Sequence, residues 1–402
     1  MKKQDTGNVW IVVCTVLVIL LSVSLGFYLR SGLGTTGKNA AQAVTEMENT
    51  IKKYFYFYEE EKLSEDDLTE SALRGMVSEL NDPYAQYYTD KQYQALRQAD
   101  EGNYTGIGIS VGEPNDVGST ILDVYAGSPA DLAGVKKGDI ILSANGHAAA
   151  GLSLDEFLQY FSTDDNVTDE LILLRGTENL TITLKRGEVH VNRVSEEVLE
   201  GNVGYIRITE FNGSVVEDFW DAATKLRDQG IHQMIIDLRD NPGGGLSEVL
   251  GVANYLIPKG EVVVTIKSKT ANAQIYRSEG KERLDMDLVV LVNGNSASAS
   301  ELLTGALKDY GLATIVGTRT FGKGIVQSYF RLNSTAGWLK ITTDAYYTPN
   351  DVCIHGVGIE PDLTVTLSED LAALPIELLD HKEDAQLQAA LKCFSGALSA
   401  AA

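Results

Sequence analysis

Cysteine is almost absent: three residues in 402, of which Cys14 falls in an apolar run, leaving Cys353 and Cys393 to pair or stay free. Neither has a second cysteine or a histidine at metal-ligand spacing, so no zinc is expected, and no metal or organic cofactor is called for. Histidine is scarce too, with His147, His190, His232, His355 and His381 the full set. A Ser-His-Asp triad needs a histidine held in place by a third group; only His355, in Ile354-His355-Gly356-Val357-Gly358-Ile359, competes, and nothing orients it. Basic residues are outnumbered, 33 against 56, for a net charge of −23, which argues against nucleic acid as a partner. The acidity is spread along the chain and reads as a solvated surface. Phe321-Gly322-Lys323-Gly324 does not meet the Gly-x4-Gly-Lys-Ser/Thr phosphate-loop pattern, and no Gly-x-Ser-x-Gly precedes a triad histidine. No internal repeat is found.

One long apolar run is present. Val9 to Leu29 carries no charge, and its roughly 21 residues at about 1.5 Å each would span the hydrocarbon layer. It is long for a signal peptide and lacks a clear small-x-small site, so it is read as an uncleaved anchor, with everything after Arg30 outside the cytoplasm. Residues 1–30 form the anchor and 31–42 a Gly/Ser/Thr-rich tether.

Residues 43–99 read as helical. Val44, Met47, Ile51, Tyr54, Phe55 and Tyr58 recur at helical spacing; Ser64 with Asp67 and Thr89 with Gln92 mark two further helix starts. The aromatics from Tyr54 to Tyr58 are too apolar for a lone surface helix and are expected to pack on something, the chain's own core or, as the family resemblance set out below implies, a second copy. Residues 100–188 change to short strands and turns. Tyr104-Thr105-Gly106-Ile107-Gly108-Ile109 is similar to the carboxylate-binding loop of a PDZ domain, where backbone N–H groups face a peptide terminus and the next strand adds the peptide to the sheet. On that reading Gly106, Ile107, Gly108 and Ile109 bind peptide, and Leu158, on a helix started by Ser153 and Glu156, joins Ile107 and Ile109 in an apolar pocket. Arg175 reads as an exposed strand arginine, the alternative being a link between peptide binding and the rest of the chain.

From Asn202 strands and helices alternate: Val203–Ile208, a helix capped by Ser214 and Glu217, then Met234–Leu238 running into Arg239-Asp240-Asn241-Pro242-Gly243-Gly244-Gly245 and another helix. Asp287–Asn293 is a strand buried on both faces, broken at Gly294-Asn295; a helix follows from Ser298, with Glu301 three residues on. Ser298 thus sits where a strand hands over to a helix, a position suited to a nucleophile, with the Ala299 N–H aimed at any oxyanion formed there. Lys323, between glycines and beside Phe321, Ile325 and Val326, is poorly placed for a solvated charge and can be neutral enough to take a serine proton. In an extended chain Gln327 would share its face. Trp338–Tyr347 alternates as a strand, and Glu383–Leu398 reads as a closing helix.

Ser-Ala-Ser-Ala-Ser-Glu at 296–301, Phe-Gly-Lys-Gly-x-Val-Gln at 321–327 and Asp-Leu-Arg-x-Asn-Pro-Gly-Gly at 237–244 resemble the signatures of the carboxyl-terminal processing peptidases, PDZ-containing S41-type Ser/Lys serine proteases. The resemblance implies a mixed α/β fold: a ClpP/crotonase-like βα protease core (189–365) with an inserted PDZ domain, an N-terminal helical segment and a helical tail (366–402). It further implies Ser298 as nucleophile, chosen over Ser296 and Ser300, Lys323 as general base, Gln327 as its orienting residue, and Gly243 or Gly244 as the second oxyanion donor beside Ala299. Asp309 is expected to form a structural ion pair. The expected partners are proteins or peptides with exposed apolar C-termini, the membrane through the N-terminal helix, and a second copy in a homodimer. The rival reading is a proteolytically silent PDZ scaffold.

Overall fold

The computed structural model describes residues 40–61, 63–162, 167–280 and 282–395. The anchor assigned to Val9–Leu29 lies outside them; among the described residues no helix is long and apolar enough to cross a membrane. The chain divides into two compact units between Asn81 and Asp82.

The first unit contains helices α1 (Ala40–Tyr54) and α2 (Glu65–Ser78). The Ser64 hydroxyl accepts the Asp67 N–H at 3.1 Å and the Asp67 carboxylate takes the Ser64 N–H at 2.9 Å, a reciprocal cap that satisfies two otherwise orphaned donors. Among the described residues no core takes in Tyr54, Phe55, Tyr56 and Phe57, which are 44–84% exposed.

The second unit opens with β1 (Gln86–Tyr88) and α3 (Asp90–Asp100), the latter started by reciprocal bonds between Thr89 and Gln92. A small antiparallel region follows: β2 (Asn103–Gly106), β3 (Ile109–Val111), β4 (Ser119–Val124), α4 (Pro129–Leu132), β5 (Ile140–Ala144), β6 (His147–Ala148), α5 (Leu154–Leu158), β7 (Thr168–Arg175), β8 (Glu178–Lys185) and β9 (Gly187–His190). Its sheet runs β3-β4-β5-β7-β8, with β6 on β5, so β3 is an edge. Alternating side chains of these strands, including Ile121, Ile141, Leu171 and Leu173, meet Phe157 of α5 in a core separate from the rest. Strands β2 and β9 pair with each other, so the region begins and ends at one place.

Beyond it, β10 (Val194–Leu199), β11 (Val203–Ile208), β12 (Gln233–Asp237), β15 (Asp287–Val292), β16 (Ala313–Gly317) and β19 (Leu363–Thr364) form one sheet in that order, parallel except for β10. Period-two alternation sends Ile206, Ile236 and Val290 to one face, and Tyr205, Ile235 and Val289 to the other. Helices α6 (Val215–Asp228), α7 (Leu246–Leu256) and α8 (Ala299–Asp309) cover the first face; α10 (Ala385–Phe394), which follows the single turn α9 (Glu369–Ala372), covers the second with Leu387 and Ala390. A second sheet, antiparallel and not expected from the sequence beyond one strand, is built on β18 (Gly337–Tyr347), which pairs with β1, β13 (Val262–Ser268) and β17 (Ile325–Leu332); β14 (Gln274–Arg277) lies outside β13.

Three local expectations are corrected. Ser214 starts α6 without a side-chain cap and donates instead to Asp218 at 2.6 Å. Asp309 makes no ion pair among the described residues; it accepts the Asn350 N–H at 2.8 Å, because neighbouring Lys308 is taken by Asp362 and the Glu360 carbonyl. Arg175 is not a free strand arginine: it grips the buried Asp139 carboxylate through Nε and Nη2, both at 2.7 Å, and the Gly134 carbonyl, within its own small domain. Cys353 and Cys393 are both free.

The loop after β12 is anchored by charge. Arg239, almost wholly buried, meets Asp237 at 2.6 Å, Asp384 at 2.8 Å and Gln386 at 3.0 Å, while the Tyr205 hydroxyl donates to Asp237 at 2.8 Å. Burial alone would raise the Asp237 carboxyl, but the Arg239 guanidinium beside it overrides that and holds it below its usual range. A carboxyl so depressed stabilises the fold above its unfolded pKa, and the contribution is lost as the pH falls through the folded value. Removing one partner of such a pair leaves a buried charge uncompensated, so Arg239→Met is expected to lower stability at pH 7 by about 3–5 kcal/mol in denaturant unfolding. The same variant should flatten the loss of stability below about pH 4; unchanged midpoints at both pH values would show that the cluster contributes nothing.

Candidate active site

Two strand ends of the parallel sheet meet at their carboxyl edge, where open α/β sheets hold their ligands. From β12 come Asp240 to Gly245; from β15 come Asn293 to Ser298. Ser296, buried, donates to the Leu238 carbonyl at 2.7 Å, Ser300 donates to the Asn241 carbonyl at 3.0 Å, and the Ala297 N–H reaches that same carbonyl at 3.0 Å. Two of the three serines therefore lash the loops together. Ser298 stands between them, half-buried, at the first turn of α8.

Its backbone has φ 55° and ψ −113°, a conformation that L side chains rarely adopt and that costs on the order of 1–3 kcal/mol. Glu301 holds it there. That carboxylate is fully buried and accepts four hydrogen bonds: the Ser298 N–H at 2.9 Å and Lys323 N–H at 2.8 Å on Oε2, the Thr320 hydroxyl at 2.6 Å and Gly322 N–H at 2.7 Å on Oε1. One side chain thus ties the Ser298 turn to the loop carrying Lys323. From the opposite side the Tyr346 hydroxyl lies at 2.8 Å from the Ser298 carbonyl and also within bonding distance of the Lys323 carbonyl; its single proton serves one at a time. Burial keeps that hydroxyl protonated, well above its ordinary pKa. Sequence reading took Glu301 as a helix cap and missed its reach to residues 320–323, since only the fold brings them within its range.

Ser298, Ala299, Gly244, Lys323 and Gln327 line one cleft of about 420 Å³. Burial lowers the Lys323 pKa, the Lys340 ammonium lowers it further, and Glu301 opposes both. Its Nζ lies 4.6 Å from the centroid of the Tyr84 ring. Lys323 precedes β17, and a register shift between Val326 and Gln327 interrupts the strand; the Gln327 amide donates to the Thr342 hydroxyl at 3.2 Å. Gly243, at φ 106°, has its N–H on the Asn241 side chain at 2.9 Å, and a Cβ there would stand 2.8 Å from that of Ser298. The N–H groups of Gly244 and Ala299 have no hydrogen-bond partner among the described residues. His355 is exposed and does not line this cleft.

In the small domain Gly108 has φ 86°, and a Cβ there would meet Ser128 at 2.1 Å, so only glycine suits that turn. Its carbonyl accepts the Tyr125 N–H at 3.0 Å, and the Ile107 carbonyl accepts the Ala130 N–H at 2.9 Å. The Ile107 side chain is buried in the domain core, whereas Ile109, on edge strand β3, is half-buried and Leu158, at the end of α5, is 46% exposed. Gly106 closes β2 against Gly187 of β9. No cluster of potential metal ligands is found among the described residues.

Comparison with known proteins agrees with this architecture. Residues 202–365 match peptidase family S41, residues 120–175 a PDZ domain, and residues 31–92 the N-terminal domain of the activating protease CtpB. A probable CtpA-like serine protease of Staphylococcus aureus strain COL is 36% identical over 83% of this chain and 66% of its own length. One from the bovine strain RF122 is 36% identical over 88% of this chain and 71% of its length. A putative S41 protease from Bacteroides fragilis shares the fold, with a TM-score of 0.56 at 18% identity over 79% of this chain and 88% of that one. The chain belongs to peptidase family S41, the PDZ-containing, CtpA-like serine peptidases.

Proposed function

We propose that this chain is a membrane-anchored, extracytoplasmic serine endopeptidase that takes protein C-termini in its PDZ domain and cleaves with a Ser298/Lys323 dyad. The observation that carries the reading is the Glu301 carboxylate bonded to the backbone of both residues, which fixes serine and lysine on the same cleft. Neutral Lys323 takes the Ser298 proton as Oγ attacks the scissile carbonyl, and the acyl-enzyme is later hydrolysed by water activated by the same amine. Ala299 and Gly244 offer the unengaged N–H groups for the oxyanion; the Gly243 N–H is occupied by Asn241, and its bare Cα gives Ser298 room. Gln327, tethered to Thr342, is assigned the orientation of the amine.

Edge strand β3, following the Gly106–Ile109 turn, is open to addition of a peptide strand, with Ile109 and Leu158 as apolar contacts. Anchoring by residues 9–29 would place this site outside the cytoplasm. The exposed aromatics of residues 54–57 are the surface on which a homodimer would form.

Ser298→Ala and Lys323→Ala are each expected to lower turnover of a denatured protein by several orders of magnitude, roughly the loss seen when one member of a catalytic set is removed. Near-normal turnover in Lys323→Ala would end the dyad reading. Because the base acts uncharged and its pKa lies below that of a free lysine, activity should rise with pH through a limb below 10.5. A pH profile flat from 6 to 10 would contradict that.

A further inference from the structure

Tyr84 stands outside every motif that pointed to the site, yet its ring faces the lysine. We infer that the face of the Tyr84 ring is the cradle on which Lys323 carries its proton, so that Tyr84 is a positioning residue for the base. The inference rests on Lys323 being that base. Nζ lies 4.6 Å from the ring centroid, and among the described residues no hydrogen bond or ion pair ends on it. An aromatic face carries negative charge density, so it attracts an ammonium and does little for a neutral amine.

The ring is held in place from the catalytic strands themselves. Tyr84 N–H donates to Asp82 Oδ1 at 2.9 Å, and Asp82 Oδ2 accepts the Thr342 N–H at 3.3 Å. Thr342 is the β18 residue opposite Gln327 and accepts its amide, so the short segment from Asp82 to Tyr84 is pinned at the level of the lysine loop. The other charges that Lys323 faces are the Lys340 ammonium of β18, which repels it, and Glu301 of α8, which attracts it; Tyr346 stays neutral. Asp100 of α3 and Glu210, after β11, line the same cleft.

In the chemical step the Ser298 O–H bond breaks and an N–H bond forms at Nζ. The Oγ electron pair goes to the carbonyl carbon, whose π pair moves onto oxygen. Positive charge appears at Nζ as this happens, under the ring face.

The test is the pH dependence of kcat/KM of the full chain on a denatured protein. Loss of the ring destabilises the ammonium, so Tyr84→Leu should move the limb to lower pH by about 0.4–1.5 units and lower the plateau by about 2- to 30-fold. Tyr84→Phe, which keeps the ring and drops only the hydroxyl, should keep the limb where it is. Tyr84→Trp, with the stronger ring face, should move it upward. A fall in activity with an unmoved limb in Tyr84→Leu would reduce Tyr84 to packing and overturn the inference. If Tyr84→Leu fails to fold, a Tyr84→Trp limb that stays put or moves down has the same force. Lys323→Ala separates the two layers: retained turnover overturns base and cradle together, whereas lost turnover with an unmoved Tyr84→Leu limb overturns the cradle alone.

Discussion

A carboxylate without a cation, sealed in the protein interior, is the constraint on which this site depends. Stripping Glu301 of water would be prohibitive if its oxygens went unsatisfied. Three backbone N–H groups and one hydroxyl fill that need, and bonds to an ionised acceptor are about twice as strong as neutral ones. The carboxylate also lies in the first turn of α8, where the helix dipole favours negative charge. Because all four donors come from two separate turns, neither the strained Ser298 backbone nor the Lys323 loop can relax without undoing the other's bonds.

The lysine amine experiences a balance set by parts of the chain far apart in sequence. Burial and Lys340 disfavour its charge; Glu301 favours it, and the Tyr84 ring adds to that side. The carboxylate acts on Nζ only across space, since its own hydrogen bonds run to three backbone N–H groups and the Thr320 hydroxyl. That separation lets one group anchor the loop firmly without fixing the amine in a permanent ion pair.

Much of this was legible before any coordinates. Reciprocal caps at Ser64 and Ser153, the apolar strand before Ser298 and the glycine loop after β12 are local signals, each decided within a few residues. What could not be read depends on which strands become neighbours. Sheet order brings β17 and β18 beside Asp82, and only then do Tyr84 and Tyr346 reach the lysine loop. Arg175 shares the inward face of β7 with Leu171 and Leu173, but a charged residue at the strand's end reads as exposed while Asp139, buried from a neighbouring turn, is invisible as its partner. For the aromatic run, hydrophobicity signalled a packing surface without saying what covers it; Tyr54 to Phe57 lie open, so of the two alternatives it is packing in the chain's own core that does not hold.

The ladder between β2 and β9 means that the PDZ module hangs from the peptidase body by adjoining threads: Asn103 faces His190, and the Val191 N–H returns to the Gly102 carbonyl at 2.8 Å. Chain enters and leaves through a single doorway. A module attached in this way keeps its hydrophobic interior to itself, so such a cassette can be exchanged, lost or reshaped over evolutionary time while the catalytic sheet's strand order remains whole.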